Sequence, residues 1–333
     1  MKKNFPVFKK LISACLWSSI IAQDFAPVGT SVAQFLEVGN GARYIGMGHT
    51  GIAIADGISS LSWNPAGLAK TGNFSIYMNQ NQWPADITFS YVAAGTKIGQ
   101  LGSLAFHILS LQTDAMEITT LEEPDGTGNT FDLVNHSMGI TFSRYLTDQV
   151  AFGITIKNVK EGYLDYTYST IAADIGTQYH TNYREFKIGL VIQNFGPDVR
   201  FSGGYIDYSD DESYTNALNG EKEFETYSLP MNFKIGTSIN IYSKSPSSVI
   251  LATDMIHSNN NLEDYNLGME YSYKNQYFLR TGYKTQADIS GITFGFGTKF
   301  KLKNKILAVH YSYSDLKSLR GNQQISMEFR KNQ

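Results

Sequence analysis

From about residue 74 onward, apolar and polar residues alternate singly along most of the chain. Between Glu185 and Asn194, Phe186, Ile188, Leu190 and Ile192 share one parity, and Lys187, Gly189, Val191 and Gln193 the other. Lys305 to Ser314 sets Leu307, Val309, Tyr311 and Tyr313 against Ala308, His310, Ser312 and Ser314. Gly291 to Phe300 sets Ile292, Phe294, Phe296 and Phe300 against Thr293, Gly295, Gly297 and Lys299. Successive side chains of a strand point to opposite faces, so each segment predicts a strand with one greasy face and one polar or small face. Fourteen such segments occur, at about 74–80, 86–96, 101–110, 136–145, 149–160, 169–180, 185–195, 226–241, 247–257, 264–273, 276–284, 291–301, 305–315 and 321–330.

Most of these segments have the roughly nine to eleven residues that a tilted membrane strand needs. Beyond the first residues, no window approaches the roughly 18 continuous apolar residues of a membrane helix. The intervals between segments also alternate. Those at 97–100, 146–148, 181–184, 242–246, 274–275 and 302–304 are short; those at 111–135, 161–168, 196–225, 258–263, 285–290 and 316–320 include much longer ones. Short turns at one end and longer loops at the other are the asymmetry of an outer-membrane barrel, a parity that a soluble sandwich has no reason to keep. The expectation is an all-β, 14-stranded antiparallel transmembrane β-barrel of a Gram-negative-type outer membrane, spanning residues 74–333.

Composition agrees: 30 glycines, 13% aromatics with 21 tyrosines, and 17% charged residues suit strands and turns better than helices. A net charge of −3 gives no sign of a nucleic-acid partner. Lys2, Lys3, Lys9 and Lys10 precede a short apolar run, Leu11 to Ala22, so residues 1–22 read as an export signal. Cys15 is the single cysteine and falls within that signal, leaving the mature chain without disulfide or thiol chemistry.

Residues 23–73 lack strand alternation. Glycines 39, 41, 46, 48 and 51 permit tight turns and close backbone approach, and Asp56 to Ser62 suggests a short helix that Pro65 ends. This segment has to go somewhere, and the barrel interior is the natural place, as an N-terminal plug or hatch. Its string GARYIGMGHTGIAIADGISSLSWNPAGLA, residues 41 to 69, resembles the start of the PorV/PorQ family, which is related to the FadL-like outer-membrane transport barrels. Ile175-Gly176-Thr177, Phe186 to Gly189 and Asn194 to Phe201 resemble the same family. The resemblance implies fourteen strands around an N-terminal plug, with the family's Asn-Pro-Ala element at Asn64, Pro65 and Ala66. Gly67, Gly46, Gly48 and Arg43 complete the candidate gating residues.

The resemblance implies two possible roles. PorV-like members serve type IX secretion, so the first expectation is an accessory barrel that binds exported clients or secretion-system proteins. FadL-like relatives pass hydrophobic small molecules through a hatch and a side opening, so the alternative is passive transport of such compounds. Outer-membrane lipid is the surrounding partner in either case.

The polar parity carries the candidate lumen residues. Lys157, Lys187, Lys234, Arg280, Lys299 and Arg330 share it with Asp174, Asp254, Glu270 and Glu328. Unpaired buried charge is costly, so most of these should pair across the interior. Enzymatic readings find little purchase. Gly46-Met47-Gly48-His49-Thr50-Gly51 matches G-x-G-x-x-G, but no parallel-strand unit surrounds it. The six histidines are dispersed without metal-ligand spacing, and no G-x-S-x-G occurs, so neither a metal nor a cofactor is expected. The acid-rich stretch 196–225 reads as a solvated external loop.

Overall fold

In the computed structural model, which describes residues 28–206, 221–285, 291–316 and 321–331, the alternating segments close into one wall. Its strands are β1 (Phe74–Trp83), β2 (Ile87–Ile98), β3 (Gly102–Gln112), β4 (Val134–Tyr145), β5 (Val150–Tyr163), β6 (Tyr166–His180) and β7 (Lys187–Phe195). They continue with β8 (Asn232–Lys244), β9 (Ser247–Ser258), β10 (Asp264–Tyr273), β11 (Tyr277–Lys284), β12 (Gly291–Leu302), β13 (Lys305–Ser314) and β14 (Asn322–Lys331). Each pairs antiparallel with its neighbour, and β1 pairs with β14 from Phe74↔Lys331 to Gln82↔Gln323, which closes the ring. A closed ladder satisfies the backbone without exposing an edge, the condition for strands to stand in lipid.

The parity read from sequence becomes inside and outside. Leu190, Phe294 and Phe296 are 41%, 55% and 47% exposed on the outer face, while Gly189, Gly295 and His310 face the bore. Tyr242, Tyr273 and Tyr277 crowd the short-turn end of the wall, and Tyr265, Tyr283 and Tyr313 the other. An apolar exterior of this extent, edged by amphipathic rings, is stable in a bilayer and not in water. The chain is an outer-membrane barrel.

One interval departs from expectation. Residues 161–168 do not form a loop: β5 and β6 run on through them and turn on Leu164-Asp165 alone, with Leu164 at φ 51. Alternation fades there while the ladder continues to Tyr163↔Tyr166, as it does where a strand leaves the lipid and its outer face needs no grease. The long loops carry two small hairpins, Met116–Glu117 with Thr130–Phe131 and Gly204–Ile206 with Glu221–Glu223. The export signal and loop residues 207–220, Asp207, Asp210, Asp211 and Glu212 among them, lie outside the described residues.

Residues 28–73 fill the bore. They start at the long-loop end, where Ser31 bridges Ser228, and reach β1 at the short-turn end. Regular structure is limited to one helical turn, Ala42–Ile45, and 3-10 turns at Gln34–Glu37, Ile58–Ser60 and Pro65–Lys70. Tyr44, Ile45, Met47, Ile52, Leu61 and Leu68 are fully buried in this segment. Pro65 opens a turn instead of ending one: its fixed φ and missing N–H suit a first helical position, and Asn64 caps it. The expected helix over 56–62 shrinks to a single turn at Ile58–Ser60.

Candidate functional site: the plug and the inner wall

The plug lies against the wall where the wall has no side chains. Gly153 and Gly176 pair across β5 and β6, Gly189 and Gly236 across β7 and β8, and Gly268 and Gly282 across β10 and β11. A Cβ on any of these would strike the plug: on Gly153 or Gly176 it meets Asn64 to Ala66, on Gly189 or Gly236 Ile52, on Gly268 or Gly282 Met47 and Gly48. Gly46 makes the same close approach, since a Cβ there would lie 2.8 Å from the Gly295 Cα. Gly67 packs inside the plug, where a Cβ would come 2.6 Å from the Ser60 hydroxyl.

Polar side chains of the plug and of the wall then hold the plug backbone. Asn64, fully buried, accepts from the Ala66 N–H at 3.0 Å and donates to the carbonyls of Ile52 at 3.0 Å and Thr177 at 3.1 Å. Asp254 accepts from the N–H groups of Gly51 at 2.6 Å and Ile52 at 3.0 Å. Gln178 donates to the Ile52 and Ala55 carbonyls, Gln193 to Ser62 and Gln324 to Gly39, while Thr293 accepts from the Gly48 N–H. In sequence these glutamines and most of these paired glycines carry parity alone, which marks a residue as inward without saying what it meets.

Charge completes the seating. Arg43 of the plug reaches Glu270 at 3.3 Å, Arg280 reaches the same carboxylate at 2.7 Å, and Arg280 contacts His310 at 3.3 Å. Burial opposes the Arg43 charge, yet Glu270 beside it holds the guanidinium pKa above its ordinary value. Glu328 pairs with Arg330 at 2.7 Å. Lys299 lies 4.8 Å from the Phe278 ring centre. Lys187 is half-buried on the inner parity near the short-turn end. Lys70 in the plug is pulled down to about 8 by burial and by Lys187. Burial would raise the Asp56 carboxyl, but Lys70 and Arg330 hold it below its usual range.

On the opposite side the wall has a defect. Register slips between β6 and β7 at Asn194, whose φ is +59, and the upper part of β6 from Tyr166 to Ala172 loses its partner strand. Loop residues cover it there, with the Ser202 N–H donating to the Thr167 carbonyl at 2.9 Å. Lys157 ties the slip together, 2.7 Å from Asp174 and 2.6 Å from the Asn194 side-chain oxygen, while the Asn194 N–H donates to Asp174.

A cavity of about 120 Å³ remains at the long-loop end, between plug residues 36–40 and the upper inner wall. Lys234, Lys284, Glu37 and Asp264 bring charge to it, and Asn40 and Asn266 bring amides. His49 borders it as a neutral ring, because burial and then Lys284 and Lys234 depress its pKa well below the usual value. Among the described residues, no cluster of His, Cys, Asp or Glu could hold a metal ion.

No family model matches the chain, and no curated protein matches it. Solved structures do. The chain is similar to the toluene transporter TbuX of Ralstonia pickettii at 14% identity, covering 88% of this chain and 98% of that one with a TM-score of 0.56. The toluene transporter TodX of Pseudomonas putida gives 13%, 89%, 98% and 0.57. A FadL homologue of Pseudomonas aeruginosa gives 10%, 89%, 99% and 0.52. At such identity the likeness is one of fold, extends over nearly the whole length of each protein, and makes this chain a fourteen-stranded barrel built on the FadL-like plan.

Proposed function

We propose that the barrel carries small, largely hydrophobic molecules across the outer membrane, past a plug that shifts without leaving the bore. The observation that supports it is a bore filled by the chain's own polypeptide, on a fold shared with structures described as toluene transporters and a monoaromatic hydrocarbon channel. A filled bore rules against simple porin diffusion and makes movement of residues 28–73 the step that opens a path. The slip at Asn194 offers a second, sideways route, since β6 there is sealed by a loop and not by a strand. In this reading Arg43, Gly46, Gly48 and Asn64 to Gly67 hold the closed position. The Lys157, Asp174 and Asn194 cluster fixes the wall where it is weakest.

The secretion role implied by the resemblance of the leader has no counterpart among these similarities, so transport becomes the leading reading. The experiment is uptake of a labelled monoaromatic hydrocarbon by a Gram-negative host with and without the chain, at external concentrations too low for lipid diffusion to dominate. Faster uptake is expected. Equal uptake, together with co-purification of exported proteins from native membranes, would return the secretion reading to first place.

A further inference from the structure

The lipid-facing side of β12 to β14 ends, at the short-turn edge, in positive charge that the protein leaves uncompensated. Lys305 shares the outward parity of Leu307, Val309 and Tyr311, and Lys331 that of Ile325, Met327 and Phe329. The two lysines are direct cross-strand partners, and both are exposed. Like charges placed opposite each other destabilise a ladder, and an anion between them removes the penalty. The chain supplies none there: β12 and β13 carry no acid, and Glu328 of β14 turns into the bore and pairs with Arg330. Neither lysine makes an ion pair or a side-chain hydrogen bond among the described residues. Lys303, in the adjoining turn, adds a third cation to this edge.

A depression of about 560 Å³ lies in the same outer face, farther along these strands, with Thr281 at its floor and Met269, Leu279, Phe294, Phe296 and Tyr311 around it. Thr281 pairs with Met269 on one side and Phe294 on the other, so a short side chain stands between two long ones. From Tyr311 the outward positions run through Val309 with Thr298 and Leu307 with Phe300 to Lys305 with Leu302, and no charge interrupts them before Lys305. Six residue steps of strand cover about 20 Å, or about 15 Å of depth at a barrel tilt of about 40°. One leaflet of a hydrocarbon core roughly 30 Å thick has the same depth. From these two features we infer that the wall holds one anionic phospholipid of the periplasmic leaflet, its phosphate between Lys305 and Lys331 and an acyl chain laid along β12 and β13 into the depression. The short-turn end faces the periplasm, which fixes the leaflet. Charge selects the headgroup, because a zwitterionic lipid would bring its own ammonium to an edge that already has three.

The test uses the full barrel purified in detergent and stripped of lipid, with native mass spectrometry, against phosphatidylglycerol, phosphatidylethanolamine and lipopolysaccharide. One phosphatidylglycerol per barrel should be retained, at least tenfold more tightly than phosphatidylethanolamine. The pair Lys305→Gln with Lys331→Gln should lower that affinity at least tenfold while leaving the heat-modifiable gel mobility of the folded barrel unchanged, and Lys305→Arg with Lys331→Arg should keep it. Thr281→Phe, which fills the depression and spares the charges, should lower it at least threefold. Equal retention of the two phospholipids would make the contact ordinary boundary lipid, and full affinity in the glutamine pair would place the anion elsewhere. Full affinity in Thr281→Phe would leave a headgroup contact without a seated chain, and displacement of phosphatidylglycerol by lipopolysaccharide would assign the site to the other leaflet. Each of these four results overturns the inference, and none bears on hydrocarbon uptake by cells.

Discussion

Asn64 and Asn40 are both asparagines of the plug and both are more than nine-tenths buried, yet their amides are used in opposite ways. Asn64 spends its side chain on three backbone partners and sits against Gly176, where the wall and the plug leave no room for a methyl group. Asn40 has no partner for either amide atom and borders a cavity. One end of the plug is therefore seated and the other is poised. A chain under pressure only to block the bore would have closed the Asn40 region with an apolar residue, which costs less than a buried amide left dry. The contrast assigns holding to the middle and lower plug, and leaves the upper part with buried amide atoms that nothing in the plug or wall bonds.

The strongest way to break the seated region is Glu270→Ala. It leaves Arg43 and Arg280 side by side in the bore without their shared carboxylate, a loss of about 3–5 kcal/mol for a buried pair broken on one side. The barrel ladder should survive, so gel mobility of the folded form stays while cells become permeable to small dyes. Unchanged dye exclusion would show that glycine contacts alone hold the plug.

Asn64→Ala comes next. It removes the Asn64 bonds to the Ile52 and Thr177 carbonyls, leaving Ile52 to Gln178, and removes the cap of the Pro65 turn, at about 1–3 kcal/mol. Its counterpart sharpens the comparison: Asn40→Leu should be neutral or mildly stabilising in thermal unfolding, because it removes two unsatisfied atoms. Equal destabilisation by both variants would erase the distinction between the two regions.

The wall was legible in sequence because it separates two solvents. Lipid outside and a polar bore inside impose period two on every strand, and a one-residue error would invert both faces. That is why Leu190, Phe294 and Val309 could be placed outward from parity alone. Legibility stops where the lipid stops: Glu161 to Tyr163 continue the ladder above the apolar belt and look like loop residues. It stopped again at tertiary pairing. Parity puts Lys157, Asp174 and Glu270 on the inner face, but their partners come from other strands or from the plug, at sequence separations from 10 to 227. The habit of proline to end helices misleads at Pro65, whose place behind an asparagine cap makes it a beginning.

The smallest effect concerns Lys70, at the short-turn end of the seated region and half-buried beside Lys187. Its pKa in the seated plug is about 8 against 10.5 when free. Between those values the released chain holds a proton that the seated chain has given up, so seating is favoured increasingly as pH rises through that window. Below about pH 8 both forms carry the charge and the full penalty of confining it near Lys187 remains. Asp56 offsets part of that penalty, and partial exposure screens more of it. Thermal unfolding midpoints should therefore climb between pH 8 and 10 relative to Lys70→Met, and the variant should be the more stable of the two at pH 7. Parallel midpoints across the range would mean that water, not the plug, surrounds the Lys70 ammonium.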